Sequence, residues 1–326
     1  MEKVLALDNT RMSSAIPTPS IPAAEPSLPG LREHLPIDLR RVAGAYVNLM
    51  KPHVTTLLLA ITALTMVMAQ RGMPPPLLML ATLVGGLFSA GSANAINCYI
   101  DRDIDGIMGR TMRRAVPAGR VPALHALVFG IVLAVLSFAE LMLFVNLLSA
   151  VLAFSGILFY VFVYTGYLKR STVQNIVIGG AAGSVPPLVG WAAVTNSVPL
   201  AAFLLFTVIF FWTPPHFWAL ALLIQRDYER AGVPMLPVVL GEQETRKQIF
   251  LYTLLLVGVT LLLFASGTMG YLYLAAALSL GAVMIYLAYR LMRGGSKQWA
   301  NRLFWFSNSY LALLFAVMAV DRILGG

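Results

Sequence analysis

The sequence predicts an all-α protein that crosses a membrane nine times. Three observations carry that reading. Apolar residues make up 59 % of the 326 residues and charged residues only 11 %, where a soluble domain has about half and about a quarter. The apolar residues come in runs of about 20, the length at which a helix spans the hydrocarbon core. The lysines and arginines gather on alternate loops. A disordered chain and an ordinary soluble enzyme are both excluded, because so few charges could not clothe a soluble surface of this size. A single cysteine excludes an intramolecular disulfide and a cysteine-built zinc or iron–sulfur site. The net charge of +9 speaks through its placement and gives no reason to expect nucleic acid.

Residues 1–40 stand apart. The run AIPTPSIPAAEPSLPGL is rich in Pro, Ala and Ser and lacks hydrophobic periodicity, so it reads as a disordered cytoplasmic tail. It has no apolar stretch of the signal-peptide kind, and Glu2, Asp8, Glu25 and Glu33 disfavour a mitochondrial transit peptide. The remainder, 41–326, reads as one transmembrane domain. Its apolar runs fall at about 53–70, 76–99, 122–140, 142–165, 173–194, 198–224, 248–267, 270–291 and 304–322. The third and fourth are the least distinctly separated, with only Glu140 and Asn146 between them.

With nine spans, 21 of the 23 lysines and arginines fall on one side and only Arg71 and Arg322 on the other. The positive-inside rule then places the N-terminus in the cytoplasm and the C-terminus outside, in a bacterial inner membrane. The fifth span contains GGAAGSVPP, whose Gly179 and Gly183 have the spacing that lets helices approach closely. Pro186–Pro187, and Pro214–Pro215 in the sixth span, remove backbone donors inside the bilayer. A packing kink explains either pair alone. Together with polar residues on adjacent spans they favour a cavity.

The second span runs out through GSANAINCYIDRDIDGIMGRTMRR. Asn97, Asp101 and Asp105 recur every fourth residue, a spacing that keeps them on one helical face, drifting about 40° per step. Oxygen ligands in such a line can hold a hard cation, and Mg²⁺ favours one or two carboxylates completed by water and substrate phosphate. A solvated loop of mixed charge accounts for Arg102 and Asp103. It accounts poorly for Asn94 and Asn97, which lie inside the apolar run. The same side gathers Arg110, Arg113 and Arg114, then Lys169 and Arg170, then Asp227 and Tyr228. Carboxylates beside surplus cations suit a metal-bridged polyanion, although for each arginine alone membrane anchoring is sufficient.

Three blocks resemble a known family. They are NCYIDRDIDGIMGRT, YTGYLKRSTVQNIVIGGAAGSVPPLVGW, and WTPPHFWALAL with DYERAGVPMLPVVLG. In this order and on one membrane side they resemble the UbiA superfamily of intramembrane prenyltransferases, most closely its protoheme IX farnesyltransferase branch. The match runs from about residue 45 to the end. The resemblance implies helices around a central cavity that opens to the cytoplasmic side, with two aspartate motifs facing each other. The first maps onto Asn97, Asp101 and Asp105, and the second onto Asp227. Superfamily members carry paired aspartates in the second motif, whereas this chain follows Asp227 with Glu229 and AGVPM.

The implied reaction moves a farnesyl group from farnesyl diphosphate to a vinyl group of heme B, releasing diphosphate. Mg²⁺ is held by Asn97, Asp101, Asp105 and Asp227, and Arg102, Arg110, Lys169 and Arg170 bind the diphosphate. Trp212, Phe217, Trp218 and Tyr164 can face an allylic cation. His216 and His53 are candidate axial ligands of the heme iron. For His216 a hydrogen-bonded place in the bundle is an equal alternative, and for His53 it is the better one. The product is implied to pass to a heme A synthase. Two rivals stay open: prenylation of another acceptor, such as a quinone precursor or chlorophyllide, and, in a different class, a secondary transporter of an anionic phosphate compound. The near absence of charge in the external loops disfavours the transporter, which needs polar gates on both sides.

Overall fold

The computed structural model describes residues 39–325. The expected tail lies outside them, except for its last two residues, which open a helix that the sequence reading does not anticipate. In chain order the helices are α1 (Leu39–Leu49), α2 (Pro52–Gln70), α3 (Pro76–Ile100), α4 (Arg102–Ile107), α5 (Ala123–Phe144) and α6 (Leu147–Leu158). A π-helical stretch (Phe159–Leu168) runs on into the single turn α7 (Lys169–Ser171). Then come α8 (Asn175–Gly183), α9 (Pro186–Thr195), α10 (Leu200–Leu223), α11 (Gln225–Arg230), α12 (Leu236–Val239), α13 (Gly241–Ala265), α14 (Tyr271–Gly294) and α15 (Lys297–Ile323).

Among the described residues nine segments are long and apolar enough to cross a membrane: α2, α3, α5, Leu147–Ser171, Asn175–Thr195, α10, α13, α14 and α15. The chain is a multi-pass membrane protein. The break between the third and fourth spans falls at Val145–Asn146. There the Asn146 side chain caps α6 by accepting from Ser149 N at 2.8 Å, and its amide donates to Ala192 O of α9 at 2.8 Å. Helices α13 and α15 begin several residues before their apolar runs. Glu242 and Glu244 in the first turn of α13 face the positive end of its dipole.

The two proline pairs behave differently. Pro186–Pro187 open α9 after a break at Ser184–Val185, in the first turn where a missing N–H costs nothing. Pro214–Pro215 sit inside α10, which continues through them. Their surroundings are buried and tied to the last span, with Trp212 Nε1 donating to Ser307 O at 2.7 Å. Consecutive spans pack side by side, and α15 returns against α2, closing the bundle. Helices α2 and α9 approach so closely that a Cβ at Gly190 would lie 2.6 Å from Thr62 O.

At the end of the bundle opposite α4, a basic residue joins the helices. Arg322 is buried, with Nη1 donating to Thr268 O at 3.1 Å and Nε to Met68 O, in the last turn of α2, at 3.4 Å. Its neighbour Asp321 accepts from Gly270 N at 2.5 Å and Tyr273 N at 3.1 Å, at the start of α14. A carboxylate on a helix N-terminus and a guanidinium on a helix C-terminus each complement the dipole they meet. Together they clasp α2, α14 and α15. Asp321→Ala is expected to cost about 1–3 kcal/mol, the penalty of leaving buried N–H donors unpaired, and to lower the thermal midpoint of the detergent-solubilised protein. Asp321→Asn, which keeps one acceptor, should lose less. An unchanged midpoint for Asp321→Ala would show that the clasp contributes nothing.

Candidate active site

The candidate site lies at the end of the bundle where α3 gives way to α4. Asp101 sits between the two helices at φ −85° and ψ 6°. Backbone hydrogen bonds nevertheless run on, Asp101 N to Asn97 O at 2.9 Å and Asp105 N to Asp101 O at 2.8 Å. The four-residue spacing therefore keeps its meaning across the junction. Asn97, Asp101 and Asp105 are only 3 %, 0 % and 1 % exposed.

Buried carboxylates need partners, and these come both from nearby turns and from the distant Lys169. Asp101 Oδ2 accepts from Asn97 Nδ2 at 2.6 Å and from Lys169 Nζ at 2.5 Å. Asp105 Oδ2 accepts from Arg114 Nη1 at 2.6 Å. Burial works against the Arg114 charge, but the facing Asp105 more than restores it and holds the guanidinium above its ordinary value. Lys51 Nζ donates to Asn97 Oδ1 at 2.7 Å, and burial pulls this ammonium down to about 8. Arg170 grips Asp103 with two bonds of 2.6 and 2.7 Å and stands 3.7 Å from Asp101 Oδ1. The Arg170 hydrogen bonds hold the Asp103 carboxyl down at about 2.

The π-helical stretch shapes the opposite wall. Its wider turn places Thr165 Oγ1 3.2 Å from Asn97 Nδ2, and Lys169 at its end reaches Asp101. At ten residues it is longer than the single-turn π-bulges that recur at functional sites. The Tyr160 and Tyr164 rings lie 5.4 Å apart along it, tilted by 35°, and a side chain at Gly179 of α8 would overlap the Tyr164 ring. From α11, Asp227 faces Gly109 in the segment after α4: a Cβ there would lie 3.6 Å from its Oδ2. Asp227 pairs with Arg230 one turn on. Beside it Tyr228 is buried, and burial raises its hydroxyl pKa while Arg110 pulls the other way.

The sequence model of the UbiA prenyltransferase family matches residues 57–313. The chain belongs to the UbiA prenyltransferase family. It is 56 % identical over 279 residues to a protein of Gloeobacter violaceus named protoheme IX farnesyltransferase, covering 85 % of this chain and 92 % of that one. A protein of the same name from Symbiobacterium thermophilum is 53 % identical over 284 residues, covering 86 % and 95 %. A third so named, from Roseiflexus sp., is 53 % identical over 278 residues; the alignment covers 85 % of this chain but only 52 % of that longer protein. A solved structure described as digeranylgeranylglyceryl phosphate synthase superposes with a TM-score of 0.72 at 19 % identity, over 87 % of this chain and 99 % of that one. A UbiA homolog from Archaeoglobus fulgidus, bound to DMAPP and Mg²⁺, superposes at 0.61 and 16 % identity, over 84 % and 99 %. At such identities these likenesses show a common fold.

Of the UbiA-type residues singled out in the sequence, the structure brings together Asn97, Asp101, Asp105 and Lys169, with Arg170 at the edge. Asp227 and Arg110 approach the same end through Gly109 and Tyr228. Arg102 is not brought in. One position past Asp101 on the helical winding it faces outward, donates to Tyr99 O at 2.7 Å and lies over the Tyr99 ring. His53 is exposed at the start of α2. His216 is buried: its ring stacks between Trp212 at 4.4 Å and Phe304 at 4.7 Å, and Nδ1 lies 2.7 Å from Ser307 Oγ. That is the hydrogen-bonded place in the bundle allowed for it above.

Sequence reasoning missed Lys51 and Thr165, and it grouped Arg114 only with general basic surplus. For Lys51 a signal existed. A cation at the N-terminus of a helix opposes the dipole, so it needs some other partner. Thr165 carried no such mark.

Among the described residues no three His, Cys, Asp or Glu side chains gather into a metal cage. The donors fit an ion shared with a bound polyanion instead. Asn97 offers an amide oxygen, Asp101 and Asp105 offer carboxylates, and Asp101 Oδ1 is buried without a hydrogen-bond partner. A hard divalent cation with oxygen ligands suits that set. Asn97→Ala removes the amide that links Lys51, Asp101 and Thr165, and is expected to destabilise by about 1–3 kcal/mol. Thr165→Val, which removes one 3.2 Å acceptor, should cost less. Thermal unfolding of the two variants in detergent measures the ranking, and the reverse order would remove Asn97 from the centre of the network.

Proposed function

We propose that this chain transfers the farnesyl group of farnesyl diphosphate to a vinyl group of protoheme IX, giving heme O and diphosphate. The observation that supports it most is the buried line Asn97–Asp101–Asp105 with its excess of cations. Lys51, Arg110, Arg114, Lys169, Arg170 and Arg230 outnumber the nearby carboxylates even when Asp103 is included. An anion such as diphosphate takes up that surplus. The acceptor is read from the relatives at 53–56 % identity that carry the name protoheme IX farnesyltransferase.

The residues have distinct tasks in this reading. Asn97, Asp101, Asp105 and Asp227 would hold Mg²⁺, which would supply Lewis-acid stabilisation of charge on the departing diphosphate. Lys169 and Arg114, which now neutralise Asp101 and Asp105, turn to the diphosphate oxygens when it arrives. Lys51 holds the Asn97 amide in place. The C1–O bond of the prenyl diphosphate breaks, and both electrons leave with diphosphate. The vinyl π-electrons form the new C–C bond, water adds to the resulting cation beside the porphyrin ring, and its proton is released. Tyr160 and Tyr164 wall the site and limit entry of water to the allylic cation. In this reading the site faces the cytoplasm of a bacterial inner membrane, residues 1–38 take no part in turnover, and the product passes to a heme A synthase.

The deciding experiment expresses the chain in membranes of a host lacking heme O synthase and resolves the extracted hemes by mass. A heme heavier by farnesyl plus water is expected, and Asp101→Asn should abolish it while protein levels persist. Normal turnover in Asp101→Asn would sink the metal assignment. Absence of the heavier heme from folded, substrate-supplied protein would instead discard the heme acceptor, and quinone precursors would be tried next. Lys169→Ala should weaken prenyl diphosphate binding roughly tenfold, one charge-assisted bond, with little change for heme. The opposite ranking in separate titrations would move Lys169 to the heme carboxylates. Deleting residues 1–38 should leave turnover in membranes unaltered.

A further inference from the structure

One cluster lies apart from the candidate site and has no assigned role. Arg290 lies in the last turns of α14 and Arg302 follows the first turn of α15. Both guanidinium carbons lie over one indole, that of Trp299, at 4.4 and 4.6 Å from its ring centre. Arg290 also donates to Tyr286 Oη at 2.8 Å, and the Tyr286 ring meets Trp299 edge-on at 6.3 Å. Nearby, Arg246 and Lys247 are neutralised by Glu242 and Glu244. Arg290 and Arg302 pair with no carboxylate among the described residues.

Two like charges on one aromatic ring are held by cation–π attraction, and an anion between or beside them relieves their repulsion. Stacking fixes two flexible side chains before any ligand arrives, so less freedom is lost on binding. A stacked guanidinium keeps N–H groups at its edge, the geometry that suits phosphate oxygens. Both arginines are exposed at the ends of membrane spans, beside a half-exposed tyrosine. Trp and Tyr at that depth mark the headgroup layer. We propose that Arg290 and Arg302, joined by Trp299, bind the phosphate of an anionic phospholipid headgroup. None of the residues of the Asp101 network comes from α14 or α15, so this site stands independently of the reaction proposed above.

The test reconstitutes the purified full chain in nanodiscs of phosphatidylcholine with and without phosphatidylglycerol, and counts retained lipid by native mass spectrometry. Selective retention of phosphatidylglycerol is expected, falling about tenfold in Arg290→Gln/Arg302→Gln. Arg293→Gln/Lys297→Gln removes the same charge from the same turn and should retain lipid like the wild type. Equal loss from both double variants, or no preference for phosphatidylglycerol, overturns the proposal. Displacement of the lipid by millimolar inorganic phosphate also overturns it, assigning the site to a soluble phosphate. If the glutamine pair does not fold, Arg290→Lys/Arg302→Lys keeps both charges without the flat stacking groups. Wild-type retention in that variant would refute the guanidinium geometry.

Discussion

The Asp101 carboxylate at the end of a membrane bundle is the constraint on which the site depends. It is wholly buried, and a buried charge without compensation costs several kcal/mol. Compensation is assembled from both sides. Asn97 donates from one turn earlier, and Lys169 reaches in from the end of the fourth span. Asn97 in turn is fixed by Lys51 and Thr165. One ionised group thus ties the first, second and fourth spans at one level. Removing any partner leaves charge or amide unpaired in a poorly hydrated place.

The rest of the bundle keeps that level fixed. Gly190 lets α9 lie directly against α2, and the π-helical turn re-aims Lys169 toward α3. At the opposite end, Asp321 and Arg322 clasp the last span to the start of α14 and the end of α2. The polar chemistry is therefore divided by end. Charge at the Asp321 end is spent on joining helices, whereas at the other end carboxylates and a larger set of cations face one another. That division fits a membrane enzyme whose charged substrate arrives from one side. It suits a transporter less well, because no comparable polar set stands at the Asp321 end among the described residues.

Much was legible in advance. Nine spans follow from run length and hydropathy, because hydrocarbon thickness leaves little choice for a helix. The line of Asn97, Asp101 and Asp105 follows from helical spacing, and it survived the break at Asp101 because backbone bonding continued through it. Lys169 was singled out because it closes a span on the acidic motif's side, and it reaches Asp101. Arg102 adjoins Asp101 in sequence but faces away from it, because one residue is a turn of about 100° on a helix.

What the sequence alone determined was periodic or compositional: fold class, span number, the charge-rich end and the face of the acidic motif. Each depends on neighbours within a few residues, or on the bilayer as a uniform solvent. What only the tertiary structure decided was pairing that helical spacing does not set, such as Lys51 with the remote Asn97, Arg114 with Asp105 rather than with solvent, and Trp299 with an arginine from each of α14 and α15. It also decided that Pro214–Pro215 leave α10 unbroken while Pro186–Pro187 begin a new helix. Those outcomes depend on which faces the packed helices present to one another, and no local pattern encodes that.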